Sequence, residues 1–142
     1  MYKKILVALE NGAADKTLLP HVSKLAGLLK SELLLVHVAD GWAARHFNEL
    51  KLAESEEMKA DRVYLEGAVA DLRAQGLEAT PLLAMGEPGP EIVKTASRES
   101  CDLIAMCAHG HKAIGDLIFG STISHVHHAT HVPILLVRAG KA

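Results

Sequence analysis

Short apolar runs alternate with longer stretches of helical periodicity along the chain. Ile5-Leu6-Val7-Ala8-Leu9 is a continuous apolar run closed by Glu10-Asn11-Gly12. A run without polar alternation fits a strand covered on both faces. Leu18, Val22, Leu25 and Leu29 then recur at spacings of 4, 3 and 4, which is one face of a helix. Pro20 falls inside that stretch. With Thr17 as N-cap it would lie in the first turn, where no helical hydrogen bond is lost. Leu33–Val38 reads as a second covered strand, and 39–48 as a loop holding the only tryptophan. A long helix is expected over 50–75, with Met58, Leu65, Val69 and Leu72 on its inner face and Gly76 as C-cap. Thr80–Met85 is a third strand, and its Pro81 favours a sheet edge. Pro90 fits the first position of a helix reaching to about Glu99. Leu103–Cys107 is a fourth strand, 108–120 a loop with one helical turn at 114–118, Ser121–Thr130 a helix, and Pro133–Arg138 the last strand.

The resulting order is βαβαβαβαβ. Strands alternating with helices imply an α/β fold: a single open parallel five-stranded sheet with helices on both faces, Rossmann-like in its architecture. Ligands of such sheets bind beyond the carboxyl ends of the strands, where strand order reverses. That places the chemistry after each strand, at Glu10, at 38–40, at Gly86 and at 107–121.

Composition narrows the classes. The length of 142 residues suits one domain spanning 1–142. Aromatic residues make up only 4%, so aliphatic side chains must build the core. A net charge of -2 gives no electrostatic reason for nucleic acid or an anionic membrane as partner. No apolar stretch approaches the ~18 residues that span a bilayer. Met1-Tyr2-Lys3-Lys4-Ile5 runs straight into the first strand without an apolar leader region, and Cys101 and Cys107 are spaced for neither a redox pair nor a zinc site. The expectation is a cytoplasmic protein.

The segment Cys107-Ala108-His109-Gly110-His111-Lys112-Ala113-Ile114-Gly115-Asp116-Leu117-Ile118-Phe119-Gly120-Ser121-Thr122 carries the chemistry. It follows a strand, contains three glycines and ends in Gly-Ser-Thr at the expected start of a helix. Glycines let backbone approach a ligand, and a helix start offers free N–H groups and a positive dipole end. The pattern suits a phosphate chain, and it equally suits a capped helix after a turn. Gly110-x4-Gly115 is followed by Asp116-Leu117, not the Lys-Ser/Thr of a P-loop, and no G-x-G-x-x-G follows the first strand.

The segment resembles the universal stress protein signature G-x-x-G-x9-G-S/T, with Gly110 as second glycine and Gly120-Ser121 as its end. The opening strand, Leu35-Val36-His37-Val38, Gly86-Glu87-Pro88, Asp102–Met106 and Val132–Arg138 are similar to the other blocks of that family. The resemblance implies strand order 3-2-1-4-5, a homodimer joined through Pro133–Arg138, and in one branch bound ATP, ADP or AMP with Mg²⁺. By position, Ala8, Leu9, Glu10, Val38 and Met106 would surround adenine and ribose. Gly110, Gly120, Ser121 and Thr122 would hold phosphates, and His109 and His111 flank them. Two positions depart from the family: Glu10 stands where Asp is usual, and Cys107 replaces the first signature glycine. The resemblance implies a stress-response binder or sensor with at most slow ATP hydrolysis. Two alternatives remain: an interaction protein of this fold without ATP, and a thiol-based redox protein centred on Cys107. The histidines at 125, 127, 128 and 131 read as a helix surface, with no metal site expected.

Overall fold

The computed structural model describes residues 1–39, 56–108 and 114–139, and of 114–119 the backbone alone. Strand β1 (Lys4–Leu9) leads into helix α1 (Asp15–Leu29), followed by β2 (Glu32–Ala39), α2 (Glu56–Ala74), β3 (Glu78–Met85), α3 (Pro88–Arg98), β4 (Leu103–Ala108), α4 (Ile114–Ala129) and β5 (Ile134–Arg138). The five strands form one parallel sheet in the order β3-β2-β1-β4-β5. The chain therefore builds outward from β1 through β2 and β3, then returns to β4 on the other side, so strand order reverses between β1 and β4.

Side-chain alternation divides the core. Ile5, Val7 and Leu9 of β1, Leu33 and Leu35 of β2, and Leu103, Ala105 and Cys107 of β4 pack against Leu18, Val22 and Ala26 of α1 and Leu65, Val69 and Leu72 of α2. The intervening residues Leu6, Ala8, Leu34, Val36, Ile104 and Met106 pack against Ile92 and Ala96 of α3 and Val126 of α4. Both faces are covered, which is why the strands read as unbroken apolar runs. Pro81 lies in β3, the edge strand its missing N–H requires. Gly76, at φ +87, ends α2, and the Leu77 N–H closes the cap on the Leu72 carbonyl at 3.1 Å.

Three helix starts differ from the sequence reading. Helix α1 begins at Asp15, so Pro20 stands inside it beyond the first turn. The Asp15 carboxylate collects the N–H groups of Glu10 and Asn11 and fixes the helix start at that turn. An interior proline costs roughly 3 kcal/mol, while full burial of Leu18 and Val22 contributes about 1.5–3 kcal/mol each, so packing wins. The inner face also turns onto Ala26, leaving Leu29 exposed. Pro88, not Pro90, opens α3. Helix α4 begins at Ile114, not Ser121. Ile114, Leu117 and Ile118 recur at helical spacing, so the helix extends back through Gly120. The expected loop at 39–48 and the first residues of the helix expected over 50–75 lie largely outside the described residues.

Candidate functional site

The carboxyl ends of β1 and β4 meet at the reversal of strand order, and the turn after β1 carries Glu10. Around it, Ala8 and Met106 are buried on the α3/α4 face, with half-buried Val38 packed against the same cluster. Leu9 and Cys107 are buried on the α1/α2 face. Met106 has no solvent-exposed surface. Glu10 is half-buried at the rim. Gly120 and Ser121 are exposed and Thr122 is buried. His109, Gly110 and His111 lie outside the described residues. Gly120 and Ser121 are about two turns into α4, where backbone N–H groups are engaged within the helix. A Cβ added at Gly120 or Gly12 would meet nothing within 4 Å, so both positions are open; Gly120 borders a hollow shared with Ile123, Ser124, Ile134 and Leu136. Gly86, which ends β3, adopts φ +133 and donates its N–H to the Ala39 carbonyl at 3.2 Å, tying the ends of β2 and β3 together.

A polar network holds the turn after β1 from below. Asp15 is buried, and its carboxylate accepts the N–H of Glu10 at 3.0 Å and of Asn11 at 2.8 Å. It also accepts the Tyr64 hydroxyl at 2.6 Å. Burial, then the hydrogen bond to Asp15, push the Tyr64 phenol well above its ordinary pKa, so it stays a donor. Asn11 adopts φ 62, a left-handed conformation that asparagine tolerates. Its side-chain amide donates to Asp61 Oδ1 at 2.8 Å. The other Asp61 oxygen stands 3.4 Å from His37 Nε2. The opposite ring nitrogen of His37 donates to the Leu9 carbonyl at 2.9 Å.

The sequence reading missed Asn11, Asp15, His37, Asp61 and Tyr64. One signal was available: Asp61 falls in the apolar stripe of α2 between Met58 and Leu65, and it is buried with them. An acid at a core position needs partners, because an unpaired buried charge is costly.

The thiols are poorly disposed to react. Burial raises the Cys107 pKa, and the carboxylates of Glu10 and Asp15 raise it further. Cys101 is pushed up to about 11, chiefly by burial. A reactive cysteine needs the opposite environment, so the structure opposes the redox reading of Cys107. The histidines of α4 make local contacts: His128 Nδ1 bonds the Ser124 carbonyl at 2.8 Å, and Gly89 of α3 lies against His125. Among the described residues no group of three His, Cys, Asp or Glu side chains is arranged to hold a metal ion, and no helix is long and apolar enough to cross a membrane.

The doubly covered parallel sheet, with its strand order reversing between β1 and β4, defines a Rossmann-like α/β protein. Residues 1–138 match the model of the universal stress protein family, and the chain belongs to that family. It is similar to the universal stress protein MJ0577 of Methanocaldococcus jannaschii, with 28% identity over 97% of this chain and 96% of that protein. A solved structure of MJ0577 superposes with a TM-score of 0.81 over 100% of this chain and 99% of that chain. A universal stress protein from Archaeoglobus fulgidus in complex with dAMP shares the fold at 21% identity and a TM-score of 0.70, covering 96% of this chain and 98% of that one. A universal stress protein in complex with cAMP shares the fold at 15% identity and a TM-score of 0.69, covering 96% of this chain and 97% of that one.

Proposed function

We propose that this protein is a cytoplasmic, single-domain stress-response binder that takes an adenine nucleotide at the carboxyl edge between β1 and β4. The observation that carries the reading is the reversal of strand order between β1 and β4, with Glu10 half-buried in the turn after β1 and half-buried Val38 packed against the ends of the same strands. Two proteins of the same fold are described in complex with dAMP and cAMP. Ala8, Leu9, Val38 and Met106 would surround the base and ribose at the strand ends, and the Glu10 carboxylate would accept from a ribose hydroxyl or the adenine amine. Gly110, Gly120, Ser121 and Thr122 would line the phosphates, flanked by Cys107, His109 and His111. Because Gly120 and Ser121 sit within α4, the anion would meet the Ser121 hydroxyl and the gap at Gly120, not a helix start. ATP is the expected ligand, ADP and AMP its shorter forms, and Mg²⁺ would bridge the phosphates. The protein acts as a sensor with slow hydrolysis at most. It pairs as a homodimer through β5, an edge strand on which Leu136 is 48% exposed.

Native mass spectrometry of protein purified without added nucleotide tests the reading. A mass increment of ATP, ADP or AMP on the folded chain is expected. An apo species that takes up none of the three at millimolar concentration would leave the interaction-protein reading in its place.

A further inference from the structure

We propose that Asp61, His37, Asn11 and Asp15 are positioning residues that aim Glu10 at the bound nucleotide; this rests on the reading above. Asp61 belongs to the buried stripe of α2, where an apolar residue would pack without loss. One of its oxygens nevertheless reaches the turn after β1, and the other faces His37 of β2. One accepts the Asn11 amide at 2.8 Å, and the other stands 3.4 Å from a histidine that itself holds the Leu9 carbonyl. Asp15, the second buried acid, takes the backbone N–H groups of Glu10 and Asn11 and the hydroxyl of Tyr64, which is also on α2. Leu9, Glu10 and Asn11 are thus each fixed by a polar contact from β2, α1 or α2. Two buried carboxylates are a costly way to hold one surface turn. The arrangement follows if the direction of the Glu10 backbone matters for binding. Glu10 is one methylene longer than the Asp usual in the family, and a longer arm needs a better-fixed shoulder to place its carboxylate.

The test uses Asn11→Asp, which sets two carboxylates against each other at the 2.8 Å contact, and the pair Asn11→Asp with Asp61→Asn, which restores a donor opposite an acceptor. Asp tolerates the left-handed backbone of position 11. Amide exchange by NMR is read on the free protein, and ATP affinity by calorimetry. The single variant should exchange the amides of residues 10 and 11 at least tenfold faster, with Leu6 and Val7 unchanged. It should bind ATP at least fivefold more weakly, and the paired variant should return both to within about twofold of wild type. In a Glu10→Ala background the fivefold loss should vanish. Unchanged exchange, absent rescue, or an undiminished loss without Glu10 would each overturn the proposal. If wild type binds no ATP the nucleotide reading falls, and exchange with its rescue still decides whether the network sets the turn. If Asn11→Asp does not fold, Asn11→Gly, which keeps the left-handed backbone and removes the amide, takes its place, and faster exchange, the loss of ATP affinity and its disappearance in the Glu10→Ala background decide without the rescue arm.

Discussion

Gly120 sits within α4, exposed, with no atom near the place a Cβ would occupy. Helical glycine costs about 0.5–1 kcal/mol relative to alanine, so a glycine here weakens the free protein. Gly120→Ala should therefore raise stability by roughly that amount in urea denaturation, while weakening ATP binding by filling space beside the phosphates. A variant that is more stable and binds ATP undiminished would assign Gly120 no part in the site. Ser121→Ala should weaken ATP about ten- to a hundredfold, the value of one hydrogen bond to a charged group. At the opposite edge of the sheet, Asp102 accepts the N–H groups of Lys3 at 2.8 Å and Lys4 at 3.1 Å, joining the starts of β1 and β4. Burial opposes its charge, but those N–H groups prevail and hold its pKa below the ordinary value. A lowered folded pKa stabilises above the unfolded value of about 4 and is lost as pH falls through the folded one. Asp102→Ala should cost on the order of 1 kcal/mol at pH 7, and the gap from wild type should close as pH falls from the unfolded value of about 4 through the lower folded one. A gap independent of pH would contradict this account.

The elements were legible wherever periodicity is strong. All five strands and the buried face of α2 follow from apolar runs and from Met58, Leu65, Val69 and Leu72. Strand order came from resemblance, because runs alone do not say which strands are neighbours. What stayed illegible depends on contacts across the fold. The start of α1 is set by Asp15 reaching back to Glu10 and Asn11, and the partners of Asp61 come from β2 and the β1–α1 turn. No local pattern announces either. Ile114, Leu117 and Ile118 carry the backward extension of α4 at helical spacing, while Gly120-Ser121 within it has the composition of a helix start. Two helices offer tests at this scale. Pro20 removes a hydrogen bond inside α1 while remaining exposed, so Pro20→Ala should stabilise by about 1–3 kcal/mol in thermal or urea unfolding. In α3, a Cβ at Gly89 would lie 3.0 Å from the His125 side chain, including its Cβ. Gly89→Ala should destabilise by about 1–3 kcal/mol by forcing α3 and α4 apart, and a neutral result would mean that the helices shift freely.

For the whole molecule, the two ends of the sheet are unequal. β3 carries Pro81 as an edge device, whereas β5 presents Ile134, Leu135, Leu136 and Val137 with Leu136 turned outward. An apolar parallel edge of this kind invites pairing. Leu136→Lys should yield a folded monomer in sedimentation at micromolar concentration, against a dimer for wild type, and a monomeric wild type would refute the interface. The central claim, a nucleotide at the carboxyl edge, is tested most directly by calorimetric titration of ATP with Mg²⁺ into wild type and Gly120→Val side by side. The account predicts one saturable site per chain in wild type and none in the variant, with circular dichroism unchanged. Equal binding by both, or no saturable heat from wild type, would contradict it.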